Sequence, residues 1–113
     1  MFEINFSEKS DVIVNTLYKY MKEKGVGIRS SHVVADSSPY FFLNDNTSIS
    51  YRKNARKWPK SGIVFFCSAD NKIKNILEKD FGLEVFENSR DEDRPTAVFV
   101  PVEMIDNVIE AIK

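Results

Sequence analysis

Gly62-Ile63-Val64-Phe65-Phe66-Cys67, running on into Ser68-Ala69-Asp70-Asn71-Lys72-Ile73-Lys74-Asn75-Ile76-Leu77-Glu78-Lys79-Asp80-Phe81-Gly82, is the stretch that decides the fold class. Five consecutive apolar residues, Ile63 to Cys67, have the length and continuity of a strand buried on both faces. Ile73, Ile76, Leu77 and Phe81 then recur at helical spacing, Ser68 or Asp70 can cap that helix, and Gly82 supplies its stop. A buried strand followed at once by an amphipathic helix argues for a layered α+β domain.

Outward from this unit, Leu83–Glu87 reads as a strand, 88–94 as a mobile charged loop, and Thr96–Val100 as a second buried strand. Pro101 favours a helix start, and Ile105, Val108, Ile109 and Ile112 form a last amphipathic stripe. Upstream the same vocabulary recurs. Shifted by 60 positions, Phe6 falls on Phe66, Ile13 on Ile73, Asn15 on Asn75, Leu17 on Leu77 and Lys19 on Lys79. With small gaps Gly25 meets Gly82, and Pro39 with Tyr40-Phe41-Phe42-Leu43 meets Pro95 with Ala97-Val98-Phe99-Val100. The match predicts two related halves, about 2–53 and 62–113, joined by a basic connection 52–61 within one domain of 113 residues. Helical periodicity alone also aligns strand-helix units, so the repeat and the coincidence both stay open.

Within the first half, Phe2, Ile4 and Phe6 alternate as a half-buried strand does, and Ser7 is placed to cap a helix carrying Ile13, Leu17, Tyr20 and Met21. Strands follow at 26–35, Tyr40–Leu43 and Thr47–Arg52, separated by turn chemistry at 37–39 and at Asn44-Asp45-Asn46. The expected fold is α+β: tandem β-α-β-β(-β) halves, a mixed or antiparallel sheet of about seven strands with helices on one face, and a C-terminal helix.

Composition bounds the function. A formal charge of −1 argues against a general nucleic-acid coat, and 42% hydrophobic with 29% charged residues is ordinary for a globular protein. No apolar run reaches membrane-spanning length, and the first residues lack signal-peptide character. One cysteine forms no internal disulfide, which suits a reducing cytoplasm.

The local stretches that order the chain resemble a known family. Asp11-Val12, Leu17 to Met21 and Gly25-Val26-Gly27, the hairpin Tyr40-Phe41-Phe42-Leu43-Asn44-Asp45, and Phe65-Phe66-Cys67-Ser68-Ala69-Asp70 are similar to segments of the vicinal oxygen chelate superfamily, which includes glyoxalases and bleomycin-resistance proteins. The resemblance covers roughly residues 2–100 and implies a doubled sheet with a concave surface. The family's metalloenzymes place His and Glu ligands on equivalent strands, and here those positions are Phe2, Ile4, Phe6, Val64 and Phe66. The strand near 48–51 offers no acid or histidine, and 101–113 reads as a helix where the family has a final strand. The resemblance therefore implies a metal-free, non-catalytic binder with no cofactor, like the family's antibiotic-sequestering members.

Chemistry-bearing residues are few. His32 is the only histidine, and neither a nucleophile elbow nor an oxyanion turn accompanies Ser30, Ser31 and Asp36, so a structural or exposed role is the simpler reading. Cys67 precedes a helix start, where a thiolate is stabilised, yet a small core residue fits as well. Segment 51–60 packs Arg52, Lys53, Arg56, Lys57 and Lys60 with Tyr51 and Trp58 and no acid. Such interleaving suits phosphates and bases, an acidic partner, or a solvated connection pinned by Trp58. Glu84, Glu87, Asp91, Glu92 and Asp93 make an opposite patch without calcium-loop spacing.

Three partners follow, in order of preference. The first is a small apolar or aromatic ligand held by Tyr40, Phe42, Tyr51 and Trp58. The second is a protein, as for an inhibitor or toxin-immunity protein, engaged by Arg52, Lys53, Arg56 and Lys57 or by Asp91, Glu92 and Asp93. The third is nucleic acid at 51–60. An edge left open by a missing strand predicts self-pairing into a homodimer.

Overall fold

A computed structural model describes residues 1–5, 7–32, 39–52 and 62–113. The chain runs α1 (Ser10–Glu23), β1 (Ile28–His32), β2 (Tyr40–Leu43), β3 (Ser48–Arg52), β4 (Gly62–Cys67), α2 (Lys72–Lys79), β5 (Val85–Glu87), β6 (Thr96–Val100), a 3-10 turn (Val102–Met104) and α3 (Ile105–Ile112). This is the α+β fold expected, with a C-terminal helix. The six strands form one sheet in the order β1-β2-β3-β4-β6-β5, with every neighbour antiparallel.

Side chains alternate across a strand, so each strand feeds two layers. Toward the helices point Phe41 and Leu43 of β2, Ile49 and Tyr51 of β3, Ile63, Phe65 and Cys67 of β4, and Val98 and Val100 of β6. They pack with Ile13, Val14, Leu17 and Met21 of α1, Ile73 and Leu77 of α2, and Ile105, Val108 and Ile109 of α3 into one core. Helix α1 lies across β2 and β3, α2 across β4 and β6, and α3 beside α2. Val64, Phe66, Ala97 and Phe99 point the other way and form a second, smaller buried cluster with Phe86 against it.

Helix termini explain the boundaries. Gly25, at φ +91°, ends α1. The Val26 and Gly25 amides then donate to the Met21 and Lys22 carbonyls at 3.0 and 3.2 Å, closing the last turn as a left-handed residue allows. Gly82, at φ +66°, does the same after α2, with Leu83 N–H donating to Leu77 O at 3.1 Å. The α2 cap is Asn71, rather than Ser68 or Asp70: its Oδ1 accepts from the Lys74 amide at 3.1 Å. Ser7 does not cap α1, because its amide and hydroxyl both donate to Asn5 Oδ1 in a local turn.

The strand expected over Phe2–Phe6 is not formed by residues 1–5, and Phe6 lies outside the described residues. By the sixty-residue shift it would sit beside β2 as β4 sits beside β6, but β3 occupies that place. Phe2 is buried instead by its ring contact with Tyr20 at 5.0 Å, and its amide donates to Asp106 Oδ2 at 3.0 Å. Among the described residues the sheet accordingly has six strands, all antiparallel, where about seven, mixed or antiparallel, were expected. Among the described residues no helix is long and apolar enough to cross a membrane.

Candidate functional site

Strand β3 sets the site. Its second-face residues are Ser48, Ser50 and Arg52, while Ile49 and Tyr51 face the helices. In register with Ser48 lie Phe42 on β2 and Phe66 on β4, and in register with Ser50 lie Tyr40 and Val64. Two short side chains between larger neighbours leave a trough along β3. It opens as a cleft of about 320 Å³ lined by Tyr40, Phe42, Ser48, Ser50, Arg52 and Phe66 from the sheet, and by Asn88, Arg90, Asp91 and Arg94 from the β5–β6 connection. Ser50 is fully buried, and its hydroxyl donates to Pro39 O at 2.6 Å. Tyr40 and Phe42 meet edge to face at 5.1 Å.

The connection 88–94, read from sequence as a charged loop, carries hydrogen bonds made by its own side chains. Asn88, itself buried, donates its amide to Pro95 O at 2.8 Å and its Nδ2 to Arg94 O at 2.9 Å. Asp91 Oδ1 accepts from the Asp93 and Arg94 amides at 3.0 and 3.2 Å. Arg94 then spans to the β2–β3 turn: Nε and Nη2 donate to Asn46 O and Oδ1 at 2.7 and 3.0 Å, and Nη1 donates to Asp91 Oδ2 at 3.0 Å. Its guanidinium also lies 4.7 Å from the Phe42 ring centre, and that of Arg29 lies 4.8 Å from it. Partial burial pushes the Asp91 carboxyl up, but the hydrogen bonds from Arg94 and from the Asp93 and Arg94 amides outweigh it and hold the carboxyl below its ordinary range.

Electrostatically the cleft is cationic. Among the described residues, Arg52, Arg90 and Arg94 line it with one carboxylate, that of Asp91, which Arg94 already engages. Arg52 is half-buried with its guanidinium 5.5 Å from the Phe66 ring centre. Burial, and then repulsion from Arg90, lower its pKa from the usual arginine range. Among the described residues no group of three His, Cys, Asp or Glu gathers as a metal site requires.

Of the residues singled out by sequence, Tyr40, Phe42, Arg52 and Asp91 come together on this cleft. Tyr51 does not: strand alternation turns it into the helix-side core, where it is 6% exposed. Burial raises its hydroxyl pKa. Asp91 faces inward to its loop and the cleft, whereas Glu92 and Asp93 are exposed. Trp58, Lys53, Arg56, Lys57 and Lys60 lie outside the described residues, as do Asp36 and the 52–61 connection beyond Arg52. His32 pairs its backbone with Tyr40. Cys67 is buried in the core, and that burial pushes its thiol up to about 12, against the smaller effect of a hydrogen bond with Thr47. Sequence reasoning missed Ser48, Ser50, Phe66, Asn88, Arg90 and Arg94. The alternation of Ser48-Ile49-Ser50-Tyr51-Arg52 carried the signal for the first two, since it puts both serines on Arg52's face.

No protein-family model, curated protein or solved structure matches the chain. The resemblance to the vicinal oxygen chelate superfamily rests on the residues quoted for it.

Proposed function

We propose that this is a non-catalytic binding protein that sequesters a small aromatic ligand in the cleft over β3, in the manner of metal-free bleomycin-resistance proteins. One observation carries the reading: a trough of serines between aromatic ridges, large enough at about 320 Å³ for a small planar molecule. Ligand sites favour such concave, mixed aromatic and polar linings. In this reading Tyr40, Phe42 and Phe66 supply the apolar walls and Ser48 and Ser50 leave the room. A buried Cys67 thiol is in keeping with a reducing cytoplasm.

The test is native mass spectrometry of the protein from its own host, followed by thermal melting with the released compound. Bound ligand raises the melting temperature by mass action, by about 2.7 kcal/mol of stability at a hundred times Kd. Ser48→Leu fills the trough and should abolish that rise while leaving the unliganded protein folded. An unchanged rise in Ser48→Leu would place binding elsewhere and sink the reading.

A second reading, a protein-binding inhibitor or immunity-type protein, is favoured by the order of the 88–95 loop. Its internal hydrogen bonds present exposed Glu92 and Asp93 on a preformed surface. Glu92→Lys with Asp93→Lys should slow association with a basic partner, most at low salt. Asp91 is unsuitable for that test because it holds the loop. Equal rates at low and high salt would set this reading aside.

A further inference from the structure

Strand β5 is an outer strand of the sheet, bonded to β6 on one side and, among the described residues, to no strand on the other. Its neighbours in sequence, from Asp80 to Asp93, are all described. The register shows which backbone groups the open side carries. The Asn88 amide donates to Pro95 O at 2.8 Å, so residues 88 and 95 form a hydrogen-bonded pair that continues the β5–β6 ladder. Bonded and unbonded pairs alternate along an antiparallel ladder, which makes Phe86 with Ala97 the next bonded pair. Val85 and Glu87 therefore turn their N–H and C=O groups outward, where they meet no partner among the described residues. The apolar side chains along this edge are covered only in part. Leu83 and Val85 pack against the helix-side core and Phe86 against the second cluster, and all three stay half-buried. Exposed Glu84 and Glu87 flank the edge, and Glu92 and Asp93 follow on the adjoining loop. None of these four carboxylates is in an ion pair among the described residues. Charge on an edge strand discourages pairing with other strands. Because the charge here is of one sign, a cationic strand escapes that penalty and is attracted instead.

We propose that β5 receives an extended, cationic segment of a partner protein as an added strand. The segment's backbone pairs with Val85 and Glu87, and its lysines or arginines meet Glu84 and Glu87. Its apolar side chains complete the burial of Val85 on one face and Phe86 on the other. A second copy of β5 is the poorer occupant, because pairing the two edges crowds Glu84 and Glu87 against the same carboxylates. The inference rests on the basic-partner reading and adds to it the strand that receives the partner and the conformation in which it is held.

The probe is a short blocked peptide of lysine and valine. Its controls are the same peptide with glutamate for lysine, and the lysine peptide N-methylated along its backbone, which keeps the charge but lacks the donors. Each is titrated into the purified full chain at low salt, with nuclear magnetic resonance reading affinity and amide hydrogen exchange. The lysine peptide should bind at least about tenfold tighter than either control, and exchange at the Val85 and Glu87 amides should slow by a similar factor. Glu84→Lys with Glu87→Lys should erase the preference for the cationic peptide. Val85→Pro deletes one outward donor without touching the bonds to β6, as an edge strand tolerates, and should weaken binding. Val85→Ala keeps that donor and should bind more tightly than Val85→Pro. Equal binding of the N-methylated peptide, with shifts at Glu92 and Asp93 alone, overturns strand addition and leaves the basic-partner reading standing. Equal binding of the glutamate peptide overturns the charge selection and the inference as stated. Absence of binding by the lysine peptide overturns the inference and leaves the basic-partner reading to the salt dependence of association given for Glu92 and Asp93. Slow Val85 and Glu87 exchange without peptide, in a chain that light scattering shows to be dimeric, makes a second copy the occupant and overturns it as well.

Discussion

Arg94→Ala tests whether the cleft's rim is built or merely adjacent. The substitution removes two hydrogen bonds to Asn46, at 2.7 and 3.0 Å, one to Asp91 at 3.0 Å, and the guanidinium contact with Phe42 at 4.7 Å. Net hydrogen bonds contribute about 1 kcal/mol each, and at the solvent edge, where the Asn46 pair lies, about 0.5 is the better figure. The Asp91 partner is 35% exposed. That ion pair is therefore discounted to about 0.5 kcal/mol. The ring contact adds roughly 0.5–1 kcal/mol. Because the four act as one unit they do not add fully, and the expected loss is roughly 2 kcal/mol. At roughly 4 °C per kcal/mol for a domain of this size, the melting temperature should fall by roughly 8 °C.

Urea unfolding with an unchanged slope would confirm that the folded state alone is weakened. Arg94→Lys keeps the charge but not the planar fork, so it should recover no more than about 0.5 kcal/mol. The pH dependence supplies an independent check. Asp91's carboxyl is held below its ordinary range, so its contribution is present above the unfolded value of about 4 and is lost as pH falls through the folded one. Arg94→Ala should flatten that acid limb. A loss under about 0.5 kcal/mol, or full rescue by lysine, would refute the anchoring argument.

Other consequences are equally direct. Asn71→Ala removes the α2 cap and the donors to Asp45 and Thr47 at 3.1 and 3.2 Å, so about 2 kcal/mol should be lost in denaturant melts. Asn71→Asp keeps the cap acceptor but sets a second carboxylate against Asp45, and its deficit should shrink as pH is lowered. Tyr20 donates to Asp106, which raises the phenol's pKa and, chiefly through that same bond, lowers the carboxyl's. The carboxyl's contribution is therefore lost as pH falls, and the phenol's as pH rises past its folded value; Tyr20→Phe should flatten stability against pH at both ends. With its thiol at about 12, Cys67 should ignore a thiol reagent at pH 8 in the native protein and react only on unfolding. Rapid native labelling would contradict its core placement. The homodimer expected from an open edge would pair through β1 or β5, the outer strands, and light scattering at a single chain's mass up to high concentration would exclude it.

Where local pattern and tertiary demand agree, the sequence was legible. Tyr40–Leu43 and Thr96–Val100 form the strands their apolar runs announce, each following a proline. Gly25 and Gly82 end their helices because only the left-handed conformation closes those turns. The Phe2–Phe6 pattern failed for a nonlocal reason. Alternation signals a half-buried segment, but a strand also needs a free neighbour, and β3 had taken the place beside β2. The candidate site divides along the same line. Tyr40 and Phe42, singled out by size, line the cleft, whereas Tyr51, singled out for the same reason, lies in the core, since size says nothing about which face a strand residue takes. The serines went unread because a site can be made by what is small: the trough exists only because Ser48 and Ser50 sit between Phe42, Tyr40, Phe66 and Val64 in register. Arg94's anchor on Asn46, 48 positions away, has no local signature at all. A cleft assembled across a sheet is encoded in register, and register becomes visible only when the strands are paired.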